Sequence, residues 1–214
     1  MRLKEKFDGT KLKFMSDLHY NHSNILWMNG RPYKTIEEMN RAILGTLEHS
    51  IGPGDILFDL GDLFWRCPND MMDDFLSRVK PGRFYKILGN HDKQNTYTKD
   101  PSVIEKFTGG IYDLLEIKVD YEGKEYYLVL SHYPLISWNH KPRGSFNLFG
   151  HCHGHIDSYI NSRPDLQVDI GFDGNLAKSS GNFILDFPTI VKYMKDKSGG
   201  TDFSEYAKSN CKEL

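Results

Sequence analysis

The chain has 214 residues, 39% of them apolar and 13% aromatic, which is enough for a sizeable core and suits one domain or a domain with an embellishment. With 27 Lys and Arg against 29 Asp and Glu the net charge is −2, so nothing advertises bulk nucleic-acid binding. The 3 cysteines are widely spaced and form no CxxC pair, which argues against a disulfide framework; no run approaches the ~18 apolar residues of a membrane span, and MRLKEKFDGT has no apolar signal region, so a cytoplasmic protein without a membrane partner is expected.

KLKFMSD (11–17) reads as a short strand. TIEEMNRAILGTLEHSI (35–51) reads as an amphipathic helix, with Met39, Ile43 and Leu47 on one face and Thr35 with Glu38 as a capping box. DILFDLGD (55–62) is a continuous apolar run ending in polar residues, as a buried strand would be. NDMMDDFLSRV (69–79) reads as helix, RFYKILGNHD (83–92) as strand and PSVIEKF (101–107) as a short helix opened by Pro. Residues 111–132 form two strands around the turn Glu122-Gly123. Further strands follow at 145–153 and 166–172, then a helix at 187–197. No internal repeat or linker interrupts the chain, so 1–214 is expected to be one domain, with a weakly ordered Lys-, Ser- and Gly-containing tail from about residue 198. The order β-α-β-α-β followed by mostly β predicts an α/β core with strands in two layers and helices outside.

The ends of these strands carry the chemistry. The first delivers Asp17 and His19, the second Asp62, the third Asn90, His91 and Asp92; the strand at 125–131 delivers His132 and the next His151 and His153. The carboxyl ends of strands in open α/β sheets are where sites form. Asp17/His19 and His151/His153 are spaced by two, so strand alternation aims each pair at one point. Glycines precede Asp62, Asn90 and His151 and let the backbone approach a centre closely. Two Asp, one Asn and four His suit borderline metals such as Mn, Fe, Zn, Co and Ni. Seven ligands suit two ions, with Asp62 as the natural bridge, and two metals ~3.5–4 Å apart clamp a phosphoryl group. His22, Arg31 and Arg66 are candidate substrate contacts, the two arginines because a guanidinium fork matches phosphate. His155 lies one step beyond the ligand pair, Cys152 faces away, and Asp169 and Asp173 read as turn residues. Trp138 either anchors a loop or stacks on a base beside Lys141 and Arg143.

In order, D-x-H (Asp17, His19), G-D (Gly61, Asp62), G-N-H-D (Gly89 to Asp92), His132 and G-H-x-H (Gly150 to His153) resemble the calcineurin-like metallophosphoesterase superfamily over residues from about 11 to about 175. SDLHYNHSNI further resembles its small bacterial and phage members. The resemblance implies an α-β-β-α sandwich of two mixed β-sheets flanked by helices. It implies one metal held by Asp17, His19, Asp62 and His153 and a second held by Asp62, Asn90, His132 and His151. His91 would stand beside the substrate, protonating the leaving oxygen or stabilising transition-state charge, with Asp92 orienting it. One departure is visible: where many members continue G-D-x-x-D-R, GDLFWR puts Trp65 at the second Asp and keeps Arg66. The expected protein is a dinuclear metal-dependent phosphoesterase with two divalent transition-metal ions, Mn first among them. It would attack a small phosphodiester, such as a nucleotide, with a metal-bound hydroxide. A phosphatase or a nuclease on DNA or RNA is the alternative, and a non-catalytic binding module the remotest reading. Nothing in the sequence sets an oligomeric state.

Overall fold

A computed structural model describes residues 1–92 and 100–211. Its strands are β1 (Arg2–Asp8), β2 (Leu12–Met15), β3 (Ile56–Asp59), β4 (Arg83–Ile87), β5 (Gly110–Tyr112), β6 (Leu114–Tyr121), β7 (Lys124–Ser131), β8 (Phe146–Phe149), β9 (Gln167–Asp169) and β10 (Leu185–Asp186). Its helices are α1 (Ile25–Met28), α2 (Ile36–Ser50), α3 (Asn69–Arg78), α4 (Pro101–Ile104), α5 (Asp157–Ser162), α6 (Asn175–Ser180), α7 (Phe187–Lys197) and α8 (Phe203–Asn210). The strands form two five-stranded sheets, ordered β10-β2-β3-β4-β5 and β1-β6-β7-β8-β9. Both are mixed. In the first, β2 to β5 run parallel and β10 is antiparallel. In the second, β6 and β7 form an antiparallel hairpin among parallel neighbours. Glu122 and Gly123 both take positive φ in its turn, the backbone a tight hairpin demands.

Alternation along the strands explains the layers. Phe14, Phe58 and Tyr85 project from the first sheet onto Ile117, Leu128, Phe146 and Leu148 of the second, in one buried cluster. Leu57 and Phe84 project the other way, onto Met39, Ile43 and Leu47 of α2 and Phe75 and Leu76 of α3. Each large apolar side chain so buried contributes about 1.5–3 kcal/mol. Thr35 caps α2 by accepting from the Glu38 amide at 3.2 Å, and the Glu38 carboxylate accepts from the Lys34 amide at 2.9 Å. This is the α-β-β-α architecture expected from the sequence. Among the described residues no helix is long and apolar enough to cross a membrane.

Two expectations need correction. The first strand in the chain is β1, whose charged outward positions leave Phe7 as its one buried residue, too little apolar signal to read as a strand. The stretch from about 198 is not a loose tail throughout: α8 is capped by Asp202, buries Ala207 and is followed by buried Cys211. Residues 212–214 lie outside the described residues.

Candidate metal centre

The strands end sooner than the sequence suggests: β2 stops at Met15, β3 at Asp59 and β8 at Phe149. Asp17, His19, Asp62, His151 and His153 therefore sit in loops, and all have φ between 48° and 69°. This left-handed region costs a non-glycine residue about 1–3 kcal/mol, so the surroundings must impose it. The pairs spaced by two thus converge through left-handed turns and not through strand alternation. Hydrogen bonds between loops impose the conformation. Asp17 N donates to Gly61 O (2.9 Å) and His19 N to Asp62 O (3.0 Å). His151 N donates to Asp17 Oδ2 (2.8 Å) and His91 N to Asp62 Oδ1 (2.9 Å). The glycines are needed for closeness: a Cβ on Gly89 would lie 2.1 Å from Asp62 Oδ1, and one on Gly150 2.3 Å from Asp17 Oδ2.

Asp62 Oδ2 is the hub. It lies 3.4 Å from His132 Nε2, 3.7 Å from His19 Nε2 and 3.9 Å from His91 Nε2. His153 Nε2 is 3.9 Å from Asp17 Oδ1, and Asn90 Oδ1 is 3.0 Å from both His132 Nε2 and His151 Nδ1. All seven side chains named from the sequence as metal ligands therefore meet in one cluster. Asp17, His19 and His153 offer ligand atoms within 4.8 Å of one another, as do Asp17, Asp62 and His132. Asp17 Oδ1 and His19 Nε2 are buried and have no hydrogen-bond partner among the described residues. Buried orphans are rare and costly, and a divalent cation satisfies both at once. The oxygen and imidazole donors together fit a borderline transition metal.

Protonation in the metal-free protein is uneven. Burial pushes the His19 pKa down to about 2 against the pull of Asp62. Burial also disfavours the His132 imidazolium, but its hydrogen bond to Asp62 and the charges of Asp17 and Asp62 outweigh this and raise it to about 9. Burial works against ionising Asp62 too, yet His132, His19 and the His91 amide hold its carboxyl well below the usual range. Burial raises Asp17.

The outer contacts redistribute several roles. Arg31 is 4% exposed. Its guanidinium donates to Leu18 O (2.7 Å), Asp17 O (2.7 Å) and the Asp173 carboxylate (2.8 Å) and lies over the Phe172 ring. It is a brace between loops, because its donors are committed to protein acceptors and not open to a substrate phosphate. Asp173, read from sequence as a turn residue, also contacts His153 Nδ1 at 2.8 Å. That turns His153 Nε2 toward Asp17, the usual second partner of a metal-binding histidine. Its signal was an aspartate just after a strand end, but the partner Arg31 lies 142 residues away.

Asp92 is buried. Its carboxylate accepts from Asp62 N and Gly89 N, both at 2.9 Å, and lies 2.6 Å from Lys86 Nζ, which also pairs with Asp59. Asp59, Lys86 and the Asp92 side chain are fully buried. Burial works against the Lys86 ammonium, but the two carboxylates outweigh it and raise its pKa. These contacts make Asp92 a fastener of the Asp62 and Asn90 loops, whereas the resemblance implies a residue that orients His91. His22 is 7% exposed, with its ring stacked on Trp65 at 4.0 Å. Arg66 is exposed, its guanidinium over the Trp65 ring at 5.5 Å from the ring centre. Trp138 is buried, donates to Ser145 O and Oγ and lies under Lys141, which pairs with Asp165; it anchors its loop. Cys152 is half-buried and His155 exposed.

The model of the calcineurin-like phosphoesterase family matches residues 10–185. An uncharacterised protein of Methanocaldococcus jannaschii is 28% identical over 171 residues, 75% of this chain and 81% of that one. The Gene 66 protein of Mycobacterium phage D29 is 26% identical over 179 residues, 75% and 86% of the two chains. The crystal structure of a protein of unknown function from Aquifex aeolicus aligns with a TM-score of 0.57 at 23% identity, covering 85% of this chain and 98% of that one, which speaks to the fold. The family match spans most of the chain and includes every loop of the cluster, so the chain belongs to the calcineurin-like phosphoesterase family, whose chemistry is metal-dependent phosphoester hydrolysis.

Proposed function

We propose that the protein is a dinuclear phosphodiesterase acting on a small substrate of nucleotide type. The carrying observation is the position of Asp62 Oδ2, central to His132, His19 and His91, with orphaned Asp17 Oδ1 and His19 Nε2 on one side and Asn90 Oδ1 between His132 and His151 on the other. In this reading Asp17, His19, Asp62 and His153 hold one ion, and Asp62, Asn90, His132 and His151 the other. Divalent ions bound there, manganese first among those that suit these donors, would supply an activated hydroxide and neutralise charge on the phosphoryl oxygens.

The chain supplies the rest. Asp62, hydrogen-bonded at Oδ1 by the His91 amide, holds Oδ2 fixed between the two ligand groups. The His91 side chain is 30% exposed beside Asp62, so its imidazole stands at the opening, where it can give a proton to the leaving oxygen. Two aromatic rings flank the cluster. Trp65 touches His91 edge-on at 4.5 Å, and Tyr133, 47% exposed, meets His151 at 4.6 Å. Apolar rings on both sides suit a phosphate with an organic arm on each side better than a monoester dianion. In this reading Arg66, exposed beside Trp65, is the guanidinium that would meet the phosphate.

The test compares bis-p-nitrophenyl phosphate with p-nitrophenyl phosphate, using chelator-stripped protein, Mn²⁺-reloaded protein and His91→Ala. Mn²⁺-dependent cleavage of the diester, lost in His91→Ala, is the expected result. Faster cleavage of the monoester would replace this reading with a phosphatase.

A further inference from the structure

Three imidazoles of the centre turn Nε2 toward it, and in the neutral ring the partner of Nδ1 decides whether Nε2 carries a lone pair or a proton. His132 Nδ1 faces Leu60 O at 2.9 Å and His153 Nδ1 faces Asp173 Oδ2 at 2.8 Å. Neither oxygen can donate, so each fixes the proton on Nδ1. His19 differs: its Nδ1 lies 3.1 Å from His22 Nδ1, and an imidazole nitrogen can either donate or accept.

Of the two arrangements, one serves the centre. If His19 Nδ1–H donates and His22 Nδ1 accepts, His19 Nε2 presents a lone pair. If the direction reverses, His19 carries its proton on Nε2, which is buried and has no partner among the described residues, the nearest carboxylate oxygen being Asp62 Oδ2 at 3.7 Å. That proton would be unsatisfied and would block ligation.

We propose that His22, clamped by Trp65, is a positioning residue that accepts the His19 Nδ1 proton and thereby presents Nε2 to the metal; this rests on the metal-centre reading above. The rings of His22 and Trp65 are nearly parallel, 13° apart at 4.0 Å. Trp65 is held in turn by its own backbone, which donates to Tyr20 O at 2.9 Å beside the Tyr20–Phe64 bridge. The His22 amide donates to His19 O at 3.0 Å, closing the turn between the two histidines. A neutral acceptor fits here because Asp17 and Asp62 already bring two carboxylates to the centre, and a third beside His19 would add charge without adding a ligand. The tryptophan that departs from G-D-x-x-D-R thus fixes the plane of the ring that orients a ligand.

Two substitutions separate acceptor from packing. His22→Phe keeps a ring for Trp65 and removes the acceptor, whereas His22→Gln keeps an accepting oxygen and removes the ring. In metal-stripped, ¹⁵N-histidine-labelled protein, long-range ¹H–¹⁵N spectra should show His19 as the Nδ1–H tautomer in the wild type and as a mixture in His22→Phe. Calorimetric titration with Mn²⁺ should show affinity falling about 10–100-fold in His22→Phe, recovering in part in His22→Gln and falling by less in Trp65→Ala. Wild-type protein that takes up no Mn²⁺ refutes the metal-centre reading and this proposal with it. Uptake that is the same in wild type and His22→Phe, with an unchanged His19 tautomer, refutes this proposal alone. Should His22→Phe fail to fold, the wild-type spectrum decides: His19 found as the Nε2–H tautomer overturns the assignment.

Discussion

The two sheets hold their halves of the centre by different chemistry. Beneath the loops of β3 and β4, which carry Asp62, Asn90 and His91, lies a fully buried charged triad of Asp59, Lys86 and Asp92. Beneath the loops of β7 and β8, which carry His132, His151 and His153, the strands are braced by a neutral amide, while the buried Asp169 carboxylate accepts from Gly154 N and Gly171 N and Asp173 holds His153. Asn147 donates to Val129 O (3.1 Å) and Ser131 Oγ (3.0 Å), and its own oxygen accepts from Leu135 N (3.3 Å). The difference follows from what is being held. The first sheet must turn backbone N–H groups inward to fix a carboxylate, and an anionic acceptor, Asp92, gathers two of them; charged hydrogen bonds are the stronger kind. That acceptor needs a buried counter-charge, and Lys86 is it. The second sheet presents imidazoles, whose ring hydrogen bonds already orient them.

Removing Lys86 should therefore have the largest effect. Lys86→Met leaves two carboxylates buried without a counter-charge, and breaking such an arrangement typically costs about 3–5 kcal/mol. Urea unfolding measures it, and a loss under about 1 kcal/mol would mean the triad is not the foundation of this sheet. Arg31→Lys comes next. It removes the fork that joins Asp17 O, Leu18 O and Asp173, and Mn²⁺ affinity should fall about 10–100-fold while the fold persists. Unchanged affinity would make Arg31 an ordinary buried arginine with no bearing on the centre. In the second sheet Asn147→Leu should cost about 1–3 kcal/mol, because it strands Val129 O and Leu135 N. A cost equal to that of Lys86→Met would erase the contrast between the sheets.

The residues proposed for the centre are legible in the sequence and their supports are not, for one physical reason. Most of the candidate ligands stand next to a glycine or just past a strand end, and His19 follows Asp17 by two, so local pattern reveals them. Arg31 and Asp173, or Asp17 and His151, meet only when the two sheets pack, across more than a hundred residues of chain. Lys86 and Asp59 did leave a trace, as single charges inside the apolar runs FYKIL and ILFDL; a charge facing inward from a buried strand demands a partner. The missed strands β5 and β10 are 3 and 2 residues long and carry no period. The α8 segment FSEYAKSN has an apolar face in Phe203, Tyr206 and Ala207 behind an Asp cap, hidden among Lys, Ser and Gly.

The smallest predicted effect is a slope, and it separates the sheets by protons. His132, raised to about 9 in the metal-free protein, holds at neutral pH a proton that ligation must displace. His19, on the first sheet and pushed down to about 2, has none to give. Below pH 9 each unit of added pH makes displacement easier, so Mn²⁺ affinity should rise by about tenfold per unit for each proton released and flatten above about 9. His153 adds to this: burial opposes its charge, but the Asp173 hydrogen bond and the Asp17 charge raise its pKa. Asp173→Asn should remove that addition and leave the part due to His132. Calorimetry in buffers of different ionisation enthalpy counts the protons directly. Affinity that stays flat from about pH 6.5 to 9, with no proton released, would mean that the imidazoles of the second sheet are as ready for metal as His19, and the electrostatic contrast between the two halves would be gone.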